Sequence, residues 1–320
     1  MKKRNKILLV GSAMMTLCTV GLAGAGLYFY NFAIKRSSKQ MPFENMDNST
    51  DTEIAEKEAN NMEWMENHEY KVWRTFSEDG LELVGYYVPA EEPTVNTVII
   101  AHGYKSKAKD MIFFAMFFRD KLGYNVLMPD ARGHGDSEGN YVGFGWHERK
   151  DYQRWIHEVI ERTGEDAQIV LFGTSMGGAT VMMTSGEELP PQVKVIIEDC
   201  GYSSVEEQLA YQLKTMYRLP GFPIVNATSL LTKIKAGYDF SEASALEQVK
   251  KDKLPMLFIH GGEDKFVPTE MVYKLYEACP AEKDLLVVEG ADHVMSIIVD
   301  PESYESKVGG FLNKYIKSAE

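Results

Sequence analysis

Ser175 lies in Gly173-Thr174-Ser175-Met176-Gly177, followed by Gly178, directly after the apolar run Ile169 to Phe172 and ahead of a helical one. A G-x-S-x-G pentapeptide between strand and helix is a nucleophile elbow, a sharp strained turn that exposes the serine Oγ while glycines remove Cβ atoms that would collide. The chemistry it serves is acyl transfer, with the serine attacking a carbonyl carbon. A glycine-rich turn that only closes a βα unit is the bland alternative, and the strand and helix on either side argue against it.

A serine hydroxyl is a poor nucleophile at neutral pH and needs an adjacent base, itself oriented by an acid. Elbows of this kind work in the chain order serine, acid, histidine, which leaves His260 and His293 of the seven histidines. His260 ends an apolar run and reads as buried packing. His293, in Gly290-Ala291-Asp292-His293, falls between the last strand and the last helix, where sites on open α/β sheets form, and is the candidate base. The acid should leave the preceding strand's carboxyl end, where Gly261-Gly262-Glu263-Asp264 follows Leu257 to His260. Asp264 is the choice, with Asp199, after an earlier strand, and Glu263 as competitors. Two donors must receive the oxyanion: the Met176 N–H, and the Tyr104 N–H in His102-Gly103-Tyr104 after the third strand.

The elements that position these residues begin near Tyr70. Val72 to Ser77 and Leu81 to Val88 read as a hairpin around Glu78-Asp79-Gly80. Strand-like runs at Thr97 to Ala101, Asn125 to Met128, Gln168 to Phe172, Val193 to Ile197, Leu254 to Ile259 and Asp284 to Val288 then alternate with helical ones at Asp110 to Leu122, Trp146 to Arg162, Glu270 to Ala278 and Pro301 to Lys317. This alternation predicts a mostly parallel eight-stranded sheet with helices on both faces. About 55 residues separate the strand ending near Ile197 from the next at Leu254, more than a crossover needs. That insertion, over about 200–253, reads as a small helical cap.

His102-Gly103-Tyr104, Asp130-Ala131-Arg132-Gly133-His134-Gly135-Asp136-Ser137, Gly173 to Gly178, Gly262 to Pro268 and Asp292-His293 together resemble the α/β-hydrolase superfamily over Tyr70 to Ile316. Within it the chain is similar to membrane-anchored bacterial serine-aminopeptidase-like or prolyl-oligopeptidase-like proteins, mostly esterases, thioesterases and lipases with some peptidases. The resemblance implies that Asp130 to Ser137 is a structural loop beside the site and that His134 is a bystander.

At the N-terminus, Lys2, Lys3, Arg4 and Lys6 precede an uncharged run from Ile7 to Ile34 that ends in Tyr28, Phe29, Tyr30 and Phe32. The run is long enough to cross a bilayer, so residues 1–40 are expected to be a signal-anchor with one transmembrane helix at about 7–34. A cleaved signal peptide ending near Ala23-Gly24-Ala25 is the alternative. Cys18 is disfavoured for lipid attachment because Leu17 stands where a small residue belongs. Residues 41–69 are strongly acidic and read as a stalk, leaving 70–320 for the hydrolase domain. The slight excess of N-terminal positive charge puts that domain outside the cytoplasm.

Beyond residue 40 the chain has 27 basic and 47 acidic residues, which repels polyanions and excludes a nucleic-acid partner. Cys200 and Cys279 stand alone, and no phosphate-binding loop, dinucleotide fingerprint or metal motif occurs, so no cofactor or metal is implied. Ser106-Lys107-Ala108-Lys109 matches an S-x-x-K pattern, but its companion S-D-N and K-T-G elements are missing. Two apolar stretches are candidate acyl-pocket linings: Met111 to Phe118, with four phenylalanines, and Leu219 to Thr232. The expected function is hydrolysis of carboxylic esters of small or medium acyl substrates, peptide or lipid included, through an acyl-enzyme. Peptidase and acyltransferase chemistry are the enzymatic alternatives. A catalytically silent anchored binding scaffold is the alternative of another class.

Overall fold

The computed structural model describes residues 19–37 and 63–317. Eight strands, β1 (Lys71–Phe76), β2 (Glu82–Val88), β3 (Asn96–Ala101), β4 (Asn125–Pro129), β5 (Gln168–Thr174), β6 (Val193–Asp199), β7 (Met256–Gly261) and β8 (Lys283–Val288), form one sheet in the order β1-β2-β4-β3-β5-β6-β7-β8. The hairpin β1–β2 and the β2–β4 pair are antiparallel, and the remaining neighbours are parallel.

The central strands are apolar at nearly every position because both faces are covered. Their side chains alternate between two cores: Ile169 and Leu171 of β5 face one, Val170 and Phe172 the other. The first core takes α4 (Glu148–Thr163), through Tyr152, Trp155 and Ile156, and the wholly buried α5 (Met176–Ser185). The second takes α3 (Ile112–Met116), the π-helical turn Phe117–Lys121 and α11 (Pro301–Tyr315). The Asp110 to Leu122 segment is thus broken, a 3-10 turn at Ala108–Met111 leading into α3 and the π turn, where the sequence pattern predicts one helix. Its phenylalanines belong to this second core: Phe114 and Phe118 pack on Phe172, with ring centroids 5.0 and 5.2 Å apart.

Between β6 and β7 lie α6 (Val205–Tyr217), α7 (Gly221–Ala236) and α8 (Ala245–Val249). In the cap helix α7 Phe222 is extended, so the regular helix starts at Pro223, where a missing N–H costs nothing. α9 (Glu270–Ala278) and α10 (Ser296–Val299) complete the domain.

The N-terminal part differs from the sequence expectation. Of the anticipated span at about 7–34, residues 7–18 lie outside the described residues, as do 41–62 of the acidic stretch. Among the described residues no helix is long and apolar enough to cross a membrane. Residues 19–29 form helix α1, which ends in a π turn Tyr30–Ile34, and from Gly26 onward this segment packs on the hydrolase domain with Tyr30 and Ile34 buried. A short helix α2, residues 63–67, buries Trp64 and Met65 against the second core, and the Trp64 indole donates to Asp120.

Candidate active site

β5 ends at Thr174 and α5 begins at Met176, so one residue must reverse the chain. Ser175 does so at φ 56° and ψ −118°, a region non-glycine residues seldom enter. Its N–H donates to the Asp199 carbonyl at 2.8 Å, and its carbonyl accepts from the Ala179 N–H at 3.0 Å. A Cβ at Gly173 would lie 2.2 Å from the Gly177 carbonyl oxygen, and one at Gly177 would lie 2.0 Å from the Ala101 carbonyl oxygen. Backbone on both sides of the turn therefore leaves no room for any other residue type.

Three loops leave the carboxyl ends of β5, β7 and β8 and meet at this turn. His293 Nε2 lies 2.9 Å from Ser175 Oγ, and His293 Nδ1 lies 2.7 Å from Asp264 Oδ2. A carboxylate beside Nδ1 selects the tautomer protonated there, which leaves Nε2 free to accept the serine proton. Asp264 Oδ1 accepts from the N–H groups of Phe266 and Val267, both at 2.8 Å, so the acid is locked by its own loop. Burial alone would raise its pKa, but hydrogen bonds from His260 and His293 hold it well below the usual carboxylate range.

The competing acids are placed elsewhere. The Asp199 carboxyl accepts from the Tyr304 hydroxyl at 2.9 Å, and burial pushes its pKa up to about 6. Its contribution to the elbow is its backbone carbonyl. Glu263 is exposed, with its N–H on the Ala291 carbonyl.

His260 is where the sequence reading fell short. It is buried, as anticipated, yet its Nε2 lies 3.3 Å from Asp264 Oδ2 as well as 2.9 Å from the Val267 carbonyl. Burial would lower its pKa, and the carboxylates of Asp264 and Glu198 raise it instead. It is a second partner of the acid, reached because Gly261-Gly262 folds the chain back within four residues. Nothing in its apolar surroundings in sequence marks this.

The Met176 N–H is the first of α5, so no carbonyl of its own helix reaches it. Gly103 brings the Tyr104 backbone alongside: a Cβ there would sit 3.6 Å from the Ser175 Cβ. The loop is braced from behind. His102 Nε2 accepts from the Ala131 N–H at 2.9 Å, Asp130 accepts from Ala108 and Asp136, and Arg132 makes two 2.6 Å bonds to Asp151. His134 is part of this brace, its pKa pushed down to about 3 by burial and by His102. Ser106 donates to Asp110, as a turn residue does.

Cys200, Asp264 and His293 bring ligand-type atoms within 4.8 Å of one another. Asp264 and His293 already bond each other, and burial raises the Cys200 thiol pKa, so this set does not have the character of a metal site.

Ser175 opens into a cleft with an aromatic and aliphatic lining. The cap supplies Leu213, Ile224, Val225 and Thr228, and the loops supply Tyr104, Phe144 and Phe266. Of the two stretches singled out for this role, Leu219 to Thr232 takes part and Met111 to Phe118 does not. Phe29, Phe32 and Ala33 complete the wall, from a segment with no apparent connection to the site in sequence.

Comparison with known proteins agrees with this fold. Residues 92–221 match a family model described as serine aminopeptidase, S33. The chain is 32% identical over 275 residues to the uncharacterized protein YqkD of Bacillus subtilis, covering 85% of this chain and 90% of that one. It is 26% identical over 225 residues to YfhR of Escherichia coli K12, covering 68% of this chain and 71% of that one. Among solved structures, the Pyrococcus furiosus esterase Pf2001 superposes with a TM-score of 0.63 at 27% identity, covering 78% of this chain and 93% of that chain. The Pyrococcus horikoshii acylaminoacyl peptidase shares the fold at a TM-score of 0.59 and 20% identity, over 79% of this chain and 42% of its own. With an eight-stranded sheet of this order, an elbow at the end of β5 and these relatives, the chain belongs to the α/β-hydrolase superfamily.

Proposed function

We propose that this protein is a serine hydrolase that cleaves carboxylic esters through an acyl-enzyme on Ser175. The observation that carries the reading is the unbroken hydrogen-bonded chain from Asp264 through His293 to Ser175 Oγ, opening on an apolar cleft. In this mechanism His293 takes the serine proton as Oγ attacks the ester carbonyl, and the Met176 and Tyr104 N–H groups receive the oxyanion. His293 then returns the proton to the departing alcohol. Water, activated by the same imidazole, attacks the acyl-enzyme and releases the acid. Asp264 stays ionised throughout and stabilises the imidazolium.

The cleft lining supports esters over aminopeptidase substrates: among the described residues, none of the side chains that line it carries a carboxylate to receive a free amine. A fluorophosphonate probe should label the wild-type chain and not Ser175→Ala, with p-nitrophenyl ester turnover disappearing in parallel. Ester turnover that survives in Ser175→Ala would refute the assignment.

The proposal extends to location. With residues from Gly26 onward docked on the enzyme, residues 7–25, 19 residues without a charge, remain to span a bilayer, close to the roughly 20 that a helix needs. The enzyme would then sit directly against the membrane, on its non-cytoplasmic side.

A further inference from the structure

We propose that the N-terminal segment is a working wall of the acyl pocket, and that it selects esters of an apolar acyl chain longer than acetyl. The inference rests on the serine-hydrolase reading above and deepens it. Phe29, Phe32 and Ala33 line the same cleft as Ser175, although they lie outside the hydrolase domain in sequence and outside the residues matched by the family model.

The segment is seated by bonds made along its length. The Ile34 carbonyl accepts from the Val142 N–H at 2.7 Å, and the Arg36 N–H donates to the Asn140 carbonyl at 2.9 Å. The Arg36 guanidinium reaches three further carbonyls, of Gly135 at 2.7 Å, Ser137 at 2.8 Å and Gly139 at 3.2 Å. These are backbone acceptors on the loop that braces the oxyanion side of the site. Against the cap, Gly26 is so close to α7 that a Cβ there would lie 3.2 Å from the Ala227 backbone, and the Phe29 ring meets Tyr217 edge-on at 5.3 Å. The Tyr104 hydroxyl donates to the Ala33 carbonyl at 2.8 Å, so the residue that offers an oxyanion N–H also holds the wall by its ring.

The chemistry of the cleft names its occupant. Among the described residues no side chain that lines it is charged, and most of its polar groups bond the protein: the Gln208 and Gln212 amides donate to the Phe266 carbonyl and the Thr228 hydroxyl donates to the Ile224 carbonyl, which leaves Gln208 Oε1 without a partner. A cleft with such a lining gains free energy chiefly from the apolar surface of its occupant. An acetyl group offers little apolar surface to such a lining, and a longer acyl chain offers more.

The test measures kcat/KM for p-nitrophenyl acetate, octanoate and palmitate on the full chain in detergent, with fluorophosphonate labelling to count folded sites. Ala33→Phe fills the cleft and should lower the octanoate-to-acetate ratio about tenfold, while Phe32→Ala enlarges it and should raise the palmitate-to-octanoate ratio by about as much. Asn31→Ala, on the exposed side of the same turn, should leave both ratios unchanged. Opposite displacement of the chain-length optimum is the supporting result, because damage to the fold lowers all three esters together. If one variant loses labelling, the direction of the other decides. Both ratios staying at the wild-type values in labelled variants would overturn the wall. Turnover that is independent of Ser175 would instead bring down the hydrolase reading on which it stands.

Discussion

At the residue scale, the division of labour between the buried Asp199 and Asp264 is the sharpest consequence of the geometry. Asp264 bonds His293 and Asp199 bonds Tyr304, though both carboxylates lie close to the site. Asp264→Asn should lower kcat by a factor on the order of 10⁴, since an amide no longer selects the productive imidazole tautomer. Asp199→Asn should change it only a few-fold, and steady-state kinetics of the two variants separate the roles. Asp264 also ties stability to pH. Burial opposes its charge, but its bonds to His260 and His293 depress the folded pKa. Its contribution is therefore present above the unfolded value of about 4 and lost as the pH falls toward the folded one. Thermal melts between about pH 6 and about pH 3 should fall more steeply for wild type than for Asp264→Asn.

At the element scale, the strand–turn–helix at Ser175 tolerates no added atoms. A Cβ at Gly177 would press 2.0 Å from a backbone carbonyl of β3, which cannot move without unzipping the sheet. Gly177→Ala should cost about 3 kcal/mol or more, at the upper end of overpacking, and denaturant titration would register it. Gly310 gives the opposite case: it lies in α11, exposed, with nothing within 4 Å of a built Cβ. Gly310→Ala should stabilise the fold by about 0.5 to 1 kcal/mol through helix propensity alone. Both glycines look alike in sequence, and only their neighbours separate them.

At the scale of the whole molecule, the N-terminal segment joins location to catalysis. If residues 7–25 hold the protein to a bilayer while residues 26–36 complete the pocket, deleting residues 2–25 should move the enzyme from the membrane fraction to the soluble one and leave its chain-length profile intact. Fractionation followed by ester assays of both pools checks this. Recovery of the shortened chain in the membrane pellet would assign the attachment elsewhere, with the exposed Leu219, Phe222, Leu230 and Ile234 of the cap as the next apolar surface to consider.

The sheet, the elbow and the juxtaposition of Ser175, Asp264 and His293 were legible in the amino-acid sequence because each rests on local chemistry. Alternating apolar runs make strands, glycines two residues either side of Ser175 make the turn, and Asp264 and His293 follow strand ends whose loops must meet at one sheet edge. Tertiary structure alone decided the rest. Asp199 and Asp264 both follow strands, and only the position of Tyr304 and His293 shows which carboxylate faces the imidazole. His260 looked like packing because burial is all that an apolar strand reveals; its contact with Asp264 depends on how Gly261-Gly262 folds back. The uncharged run ending at Ile34 has the hydropathy of a membrane span from end to end, because lipid and a protein's apolar cleft present the same solvent to a side chain. Which of its residues meet the cap and pocket depends on partners 70 or more residues away in the chain, Tyr104 and Tyr217 among them.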